Sequence, residues 1–90
     1  EAYELGLVTH LVDTAEELEE TAQTLTNAIF QNSPAAIRLG LEAYDKLRST
    51  PRDRAHEFLK AMLESTLQTA DAREGLAAFK EKRAPRWTGE

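Results

Sequence analysis

Thr69-Ala70-Asp71-Ala72-Arg73-Glu74-Gly75-Leu76-Ala77-Ala78-Phe79-Lys80-Glu81-Lys82-Arg83-Ala84-Pro85-Arg86-Trp87 is the stretch on which the reading of this chain turns. Thr69 or Asp71 opens a helix there, because a short oxygen-bearing side chain at the N-cap satisfies an amide that has no partner inside the helix. Asp71-Ala72-Arg73-Glu74 also has the capping-box form. Ala72, Leu76 and Phe79 fall at helical spacing and line one face. Pro85 cannot continue a helix, so Arg86-Trp87-Thr88-Gly89-Glu90 is a tail. Lys80, Lys82, Arg83 and Arg86 stand against Glu81 alone, the densest basic run of the chain. On charge alone the favoured reading is that cations there counter the negative end of a helix dipole; the alternative is a compact anion such as a phosphate ester.

Upstream, the apolar spacing predicts three more helices. Thr50-Pro51 is a start signal, and the helix after it carries Ala55, Phe58, Leu59, Met62, Leu63 and Leu67. An apolar surface that wide implies contact with two neighbours. Ser33-Pro34 is the same signal for a helix whose main stripe is Ile37, Leu41 and Tyr44, with Leu39 on the other side. Thr14-Ala15-Glu16-Glu17 is a capping box that opens a helix with Leu18, Ala22, Leu25 and Ile29 along one face. Before it, Leu7 to Val12 is β-branched and apolar, too short for a helix between Gly6 and Asp13, and reads as one strand or a strand-like connection. Ala2 to Leu5 suits the end of a helix, with Gly6 at a left-handed C-terminal cap. One visible turn of helix and no starting Met point to a chain cut upstream.

Ninety residues with 41% apolar content make one small domain of marginal independent stability unless it pairs with something. The net charge is -5, unevenly placed: residues 1–33 hold seven acids and no Lys or Arg, while residues 34–90 hold 9 acids against 11 bases. Nucleic acid asks for a broad basic face with stacking groups, which this pattern lacks. Cysteine is absent, which excludes disulfides, thiolate metal sites and cysteine nucleophiles. No apolar run approaches the roughly 20 residues of a membrane helix, and residues 1–4 show no signal-peptide pattern.

Self-sufficient chemistry is missing as well. His10 and His56 are far apart, and His56 with Asp53 and Glu57 has ordinary solvent-facing helical spacing rather than a His-Glu-x-x-His pattern. Ser33, Ser49 and Ser65 lack a nucleophile elbow, and the four glycines form no phosphate loop. Glu16, Glu17, Glu19 and Glu20 load the first turns of a helix, where its dipole favours them. No metal site and no catalytic residue is expected.

The stretch Thr69–Trp87 resembles the C-terminal signature of the crotonase (enoyl-CoA hydratase/isomerase) superfamily, Thr/Ser-x-Asp-x-x-Glu-Gly-x-x-Ala-Phe-x-Glu-Lys-Arg-x-Pro, at every fixed position. Ala2-x-x-x-Gly6-Leu7-Val8-x-x-Leu11-Val12 is similar to the family's Ala-x-x-x-Gly-Leu-Val-x-x-Val-Val segment, and Asn32-Ser33-Pro34-Ala35-Ala36 to its Ser-Pro-x-Ala helix start. Three motifs in order cover essentially the whole chain. The Pro-initiated restart at Leu47–Asp53 departs from many relatives.

The resemblance implies a mainly α architecture: a short extended segment and about four helices, the C-terminal helical domain of a crotonase-like fold. Residues 1–12 would end the spiral core, and residues 13–90 would form the trimerisation and lid domain. In the family the core, absent here, supplies the two amides of the oxyanion hole and the catalytic carboxylates. The resemblance further implies hydration of a 2-enoyl-CoA by the parent enzyme, with isomerase, hydrolase and dehalogenase relatives as alternatives. A non-catalytic helical oligomerisation module is the alternative from another class. Phe79 and Lys82 match the family's Phe and Lys that approach the adenine and phosphate of coenzyme A from a neighbouring subunit. Read from their spacing alone, Phe79 is equally a core residue and Lys82 a dipole partner. Leu63 falls near an apolar acyl-pocket position, with helix core the favoured reading. No separate cofactor is implied, since coenzyme A arrives with the substrate. The expected partners are the acyl-CoA and further copies of the chain in a trimer or dimer of trimers, in the cytoplasm, without nucleic acid or membrane.

Overall fold

The computed structural model describes residues 1–90 and contains four helices: α1 (Ala15–Phe30), α2 (Pro34–Leu47), α3 (Ala55–Leu67) and α4 (Ala70–Glu81). They fall into two compact units, Glu1–Gln31 and Asn32–Glu90.

In the first unit, Gly6 takes φ +74°. The Leu7 amide donates to the Ala2 carbonyl at 2.9 Å, and the Gly6 amide to Tyr3 at 3.0 Å. This pair of bonds is the Schellman closure that a left-handed glycine permits. Residues 7–12 form no strand, which corrects that alternative: apart from the Leu7 amide, which closes the preceding turn, no backbone group among them pairs with another segment, so they are a connection. Thr14 caps α1 by accepting the Glu17 amide at 3.1 Å. The Glu17 carboxylate accepts from the Asp13 amide at 2.8 Å, one residue earlier than the reciprocal box expects. No residue of α1 is buried.

In the second unit, α2 packs against α3 and α4, and α3 against α4. Ser33 caps α2, accepting the Ala36 amide at 3.0 Å, with Pro34 in the first turn. Thr50-Pro51 does not open α3. The Thr50 hydroxyl donates back to the Lys46 carbonyl at 2.8 Å and closes α2, while a turn over Pro51–Arg54 leads into a helix that has no side-chain cap. Thr69, not Asp71, caps α4, accepting from the Ala72 amide at 3.0 Å.

Asp71 is thereby released for a different task. Its side chain is buried, at 1% exposure. Oδ2 accepts the Ser33 hydroxyl at 2.7 Å, and Oδ1 accepts the Thr88 amide at 2.7 Å and its hydroxyl at 3.2 Å. The Gly89 amide spans both oxygens, at 3.2 and 3.1 Å, and the Asp71 amide donates to the Glu90 carbonyl at 2.8 Å. Burial alone would raise the pKa of this carboxyl, but the bonds from Ser33, Thr88 and Gly89 outweigh it and hold the group below its ordinary 3.8. The start of α2, the start of α4 and the tail therefore meet on one carboxylate. The tail lies over α4 a turn further on, where a Cβ at Gly75 would stand 3.2 Å from the Trp87 ring.

Little apolar bulk is enclosed by this arrangement: the buried apolar residues are Ala35 and Ala78. The packed side of α2 runs through Ala35, Leu39, Ala43 and Leu47; of the stripe expected to lead, Ile37 is half-buried while Leu41 and Tyr44 face outward. On α3, Phe58 and Met62 are half-buried and Leu59, Leu63 and Leu67 are exposed.

Replacing Asp71 by Ala leaves the Ser33 hydroxyl and the Thr88 and Gly89 amides without their acceptor. A chain of this size should lose on the order of 10 °C in Tm by circular dichroism. An unchanged melt would show that the carboxylate is not the tie between these segments.

Candidate functional site

The last turn of α4 ends at Lys82, which sits in the left-handed region at φ 54°, ψ 43°. The Arg83 amide donates to the Ala78 carbonyl at 3.0 Å and the Lys82 amide to Phe79 at 3.3 Å, the same closure that Gly6 makes in the first unit. A side chain in that conformation costs about 1–2 kcal/mol relative to glycine, so something around it compensates.

The residue that follows, Arg83, is tied down by its side chain. Its Nη1 and Nη2 donate to the two carboxylate oxygens of Glu74, the second at 3.1 Å, and its Nε donates to Glu81 Oε2 at 2.6 Å. Nη1 also reaches the Ala84 carbonyl at 3.3 Å, and the Arg86 amide donates to Glu74 Oε1 at 2.8 Å. A planar fork on a carboxylate is the geometry in which arginine binds most specifically. The hydrogen bonds from Arg83, then that from the Arg86 amide, hold the Glu74 carboxyl at about 2 against an ordinary 4.5, despite a smaller opposing effect of burial. The Arg83 guanidinium is raised in turn by Glu74 and Glu81.

On this rigid end stand the two residues singled out in the sequence. Phe79 is 86% exposed and is therefore not core in this chain. Lys82 is exposed, and its ammonium makes no ion pair here. The two lie one helical turn apart, on α4 and at its cap. Leu63 is exposed as well, at 58%, so its expected core role does not hold within this chain. His10 pairs locally with the Thr9 hydroxyl at 2.8 Å, and no three His, Asp or Glu side chains gather to hold a metal ion.

Two open hollows accompany these groups. One, of about 370 Å³ in the first unit, is walled by Leu7, Val8, Val12, Leu18 and Leu25. The other, of about 280 Å³, lies in the second unit beside Asp71, between Leu67, Leu76 and Trp87. The Asp71 hub and the Glu74–Arg83 fork were not foreseen. Their partners are 38 and 9 residues away along the chain, and no local period signals such pairs.

The family profile described as Enoyl-CoA hydratase/isomerase matches residues 1–90. Enoyl-CoA hydratase domain-containing protein 2, mitochondrial, from Homo sapiens is 39% identical over 94 residues, covering 99% of this chain and 32% of that protein. Carnitinyl-CoA dehydratase from Salmonella typhi is 33% identical over 93 residues, covering 99% and 35%. Among solved structures, an enoyl-CoA hydratase/isomerase from Mycobacterium paratuberculosis superposes with a TM-score of 0.86 at 36% identity, covering 99% of this chain and 35% of that one. The chain thus spans about a third of the length of the relatives it matches. No helix is long and apolar enough to cross a membrane.

Glu74, with its lowered pKa, contributes stability that is fully present above its unfolded value of 4.5 and is lost as the pH falls through about 2. Asp71, also lowered, acts in the same direction. Trp87, the sole tryptophan, reports on the tail. Its emission should shift to the red on acidification through that window, and Glu74→Gln should start red-shifted and respond less. A Trp87 signal that is flat in acid and identical in both proteins would contradict the clamp.

Proposed function

Because the chain belongs to the enoyl-CoA hydratase/isomerase family, we propose that it forms the C-terminal helical part of an enzyme acting on acyl-CoA thioesters by hydrating a 2-enoyl-CoA. In this reading residues 1–90 supply assembly surface and one wall of the coenzyme A site. The oxyanion-hole amides and the acid and base groups belong to the remainder of the subunit. Coenzyme A enters as part of the substrate, and no separate cofactor takes part.

The observation that carries the reading is the exposure of Phe79 at 86% beside an unpaired Lys82 on a fixed helix end. A free aromatic face can pack on adenine, and an ammonium one turn away can meet a phosphate as a point charge. The relative named a carnitinyl-CoA dehydratase supports a neighbouring reaction, since dehydration is hydration run backwards on a coenzyme A ester. Cytoplasmic residence belongs to the proposal too. Relatives of similar identity include proteins named as mitochondrial, so residues 1–90 are compatible with either compartment.

Assembly is supported by the outward stripes. Leu41 and Tyr44, Leu59, Leu63 and Leu67, and Leu76 are all more than two-fifths exposed. Apolar surface on that scale marks a contact between macromolecules, here the rest of the subunit and further copies in a trimer or dimer of trimers.

The direct test is steady-state hydration of a 2-enoyl-CoA by the intact protein. Lys82→Ala should raise KM about tenfold, equivalent to roughly 1.4 kcal/mol, with kcat little changed. Absence of hydration by the wild type would overturn the reaction, and an unaltered KM would overturn the Lys82 assignment. For the surface, Leu59→Glu with Leu63→Glu should lower the mass seen by sedimentation equilibrium. An unchanged mass would remove that face from the assembly.

A further inference from the structure

We propose that the Glu74–Arg83 fork is a positioning device for Lys82, locking it in its left-handed conformation so that the ammonium is presented from one fixed backbone direction. The inference rests on the coenzyme A reading above and adds to it residues that touch no ligand.

Three observations lead there. Lys82 is the only non-glycine residue of the chain with positive φ. A turn elsewhere in the chain that needs this conformation, at residue 6, uses glycine. At residue 82 a long charged side chain therefore occupies a place where backbone energetics favour no side chain at all. The neighbour that follows it is immobilised at every donor group. The Arg83 amide is held by Ala78, Nε by Glu81, and the two terminal nitrogens by Glu74, which is fixed again by the Arg86 amide. With residue 83 bound on one side and residue 79 on the other, through the Lys82 amide, Lys82 cannot relax without breaking that set.

The geometry also separates two roles that the basic run merges. Of its cations, Arg83 spends its charge inside the chain, whereas Lys82 makes no ion pair. Loss of the fork leaves the Lys82 charge intact but frees its backbone to return to ordinary helical or extended angles. Affinity for a phosphate then falls because the bound conformation becomes one of several.

The test is a pair of double-mutant cycles on the intact protein. In the first, urea unfolding is followed for Glu74→Gln in the Lys82 parent and in Lys82→Gly. Glycine takes the left-handed conformation freely, so losing the fork releases no backbone strain there, and Glu74→Gln should shift the unfolding equilibrium at least threefold more in the Lys82→Gly background. Equal shifts would overturn the conformational part. In the second, coenzyme A binding is measured by calorimetry for Glu74→Gln with Lys82 present and with Lys82→Ala. The dissociation constant should rise about fivefold in the first case and not at all in the second. A merely structural role would weaken binding equally in both and would overturn the proposal. Arg83→Lys, which keeps the charge but not the fork, should behave like Glu74→Gln, and full binding by it would overturn the fork. If Lys82→Ala itself leaves coenzyme A binding unchanged, the ligand reading falls. If Lys82→Ala weakens binding and Glu74→Gln does not, the ligand reading stands and the positioning inference falls.

Discussion

A carboxylate taken out of water must be answered by donors, and Asp71 is answered by four of them. The requirement organises the second unit. Ser33 can serve because its hydroxyl accepts the Ala36 amide and still has a proton to donate. Thr69 relieves Asp71 of capping duty, so both oxygens are free for distant partners. The tail, held at residues 88–90, lies where Trp87 meets Gly75 and where the Arg86 amide reaches Glu74. The ionic fork at the far end of α4 and the hydrogen-bonded hub at its near end thus grip the same strap. With buried apolar residues limited to Ala35 and Ala78, polar ties rather than enclosed bulk give this unit its definition.

The apolar residues themselves are spent elsewhere. α2 exposes Leu41 and Tyr44, α3 exposes Leu59, Leu63 and Leu67, α4 exposes Leu76 and Phe79, and α1 buries nothing. Ala35 and Ala78 fill the tightest places, with Leu39, Leu47, Phe58 and Met62 half-buried around them.

Local features were legible in the sequence because they depend on local physics. Gly6 as a left-handed cap and Thr14 and Ser33-Pro34 as helix starts each act within a few residues of their own position, whereas α4 ends at the left-handed Lys82, before Pro85. The motif at Thr69–Trp87 likewise placed the chain in its family. Thr50-Pro51 misled because a hydroxyl before proline serves as well to close one helix as to open the next. The choice between faces was not legible, since Ile37, Leu41 and Tyr44 repeat at helical spacing whether or not a neighbour covers them. Nor were the partners of Asp71 and Arg83, which chain folding alone brings together. For Phe79, spacing left core and ligand-facing roles open, and only its exposure in the fold removed the first.

The order in which the chain leaves the ribosome gives the Asp71 hub one more consequence. Ser33 and the helices are synthesised first, but the Thr88 and Gly89 amides follow Asp71 by 17 and 18 residues. At typical elongation rates, that is a wait of about 1–3 s during which the carboxylate lacks most of its donors. Until then Ser33 is the one side-chain donor of the hub already made, and water answers the rest of the carboxylate. The second unit is therefore built to consolidate late, as a latch closed by residues 88–90, and a nascent chain stalled before residue 88 would remain an open, protease-sensitive intermediate.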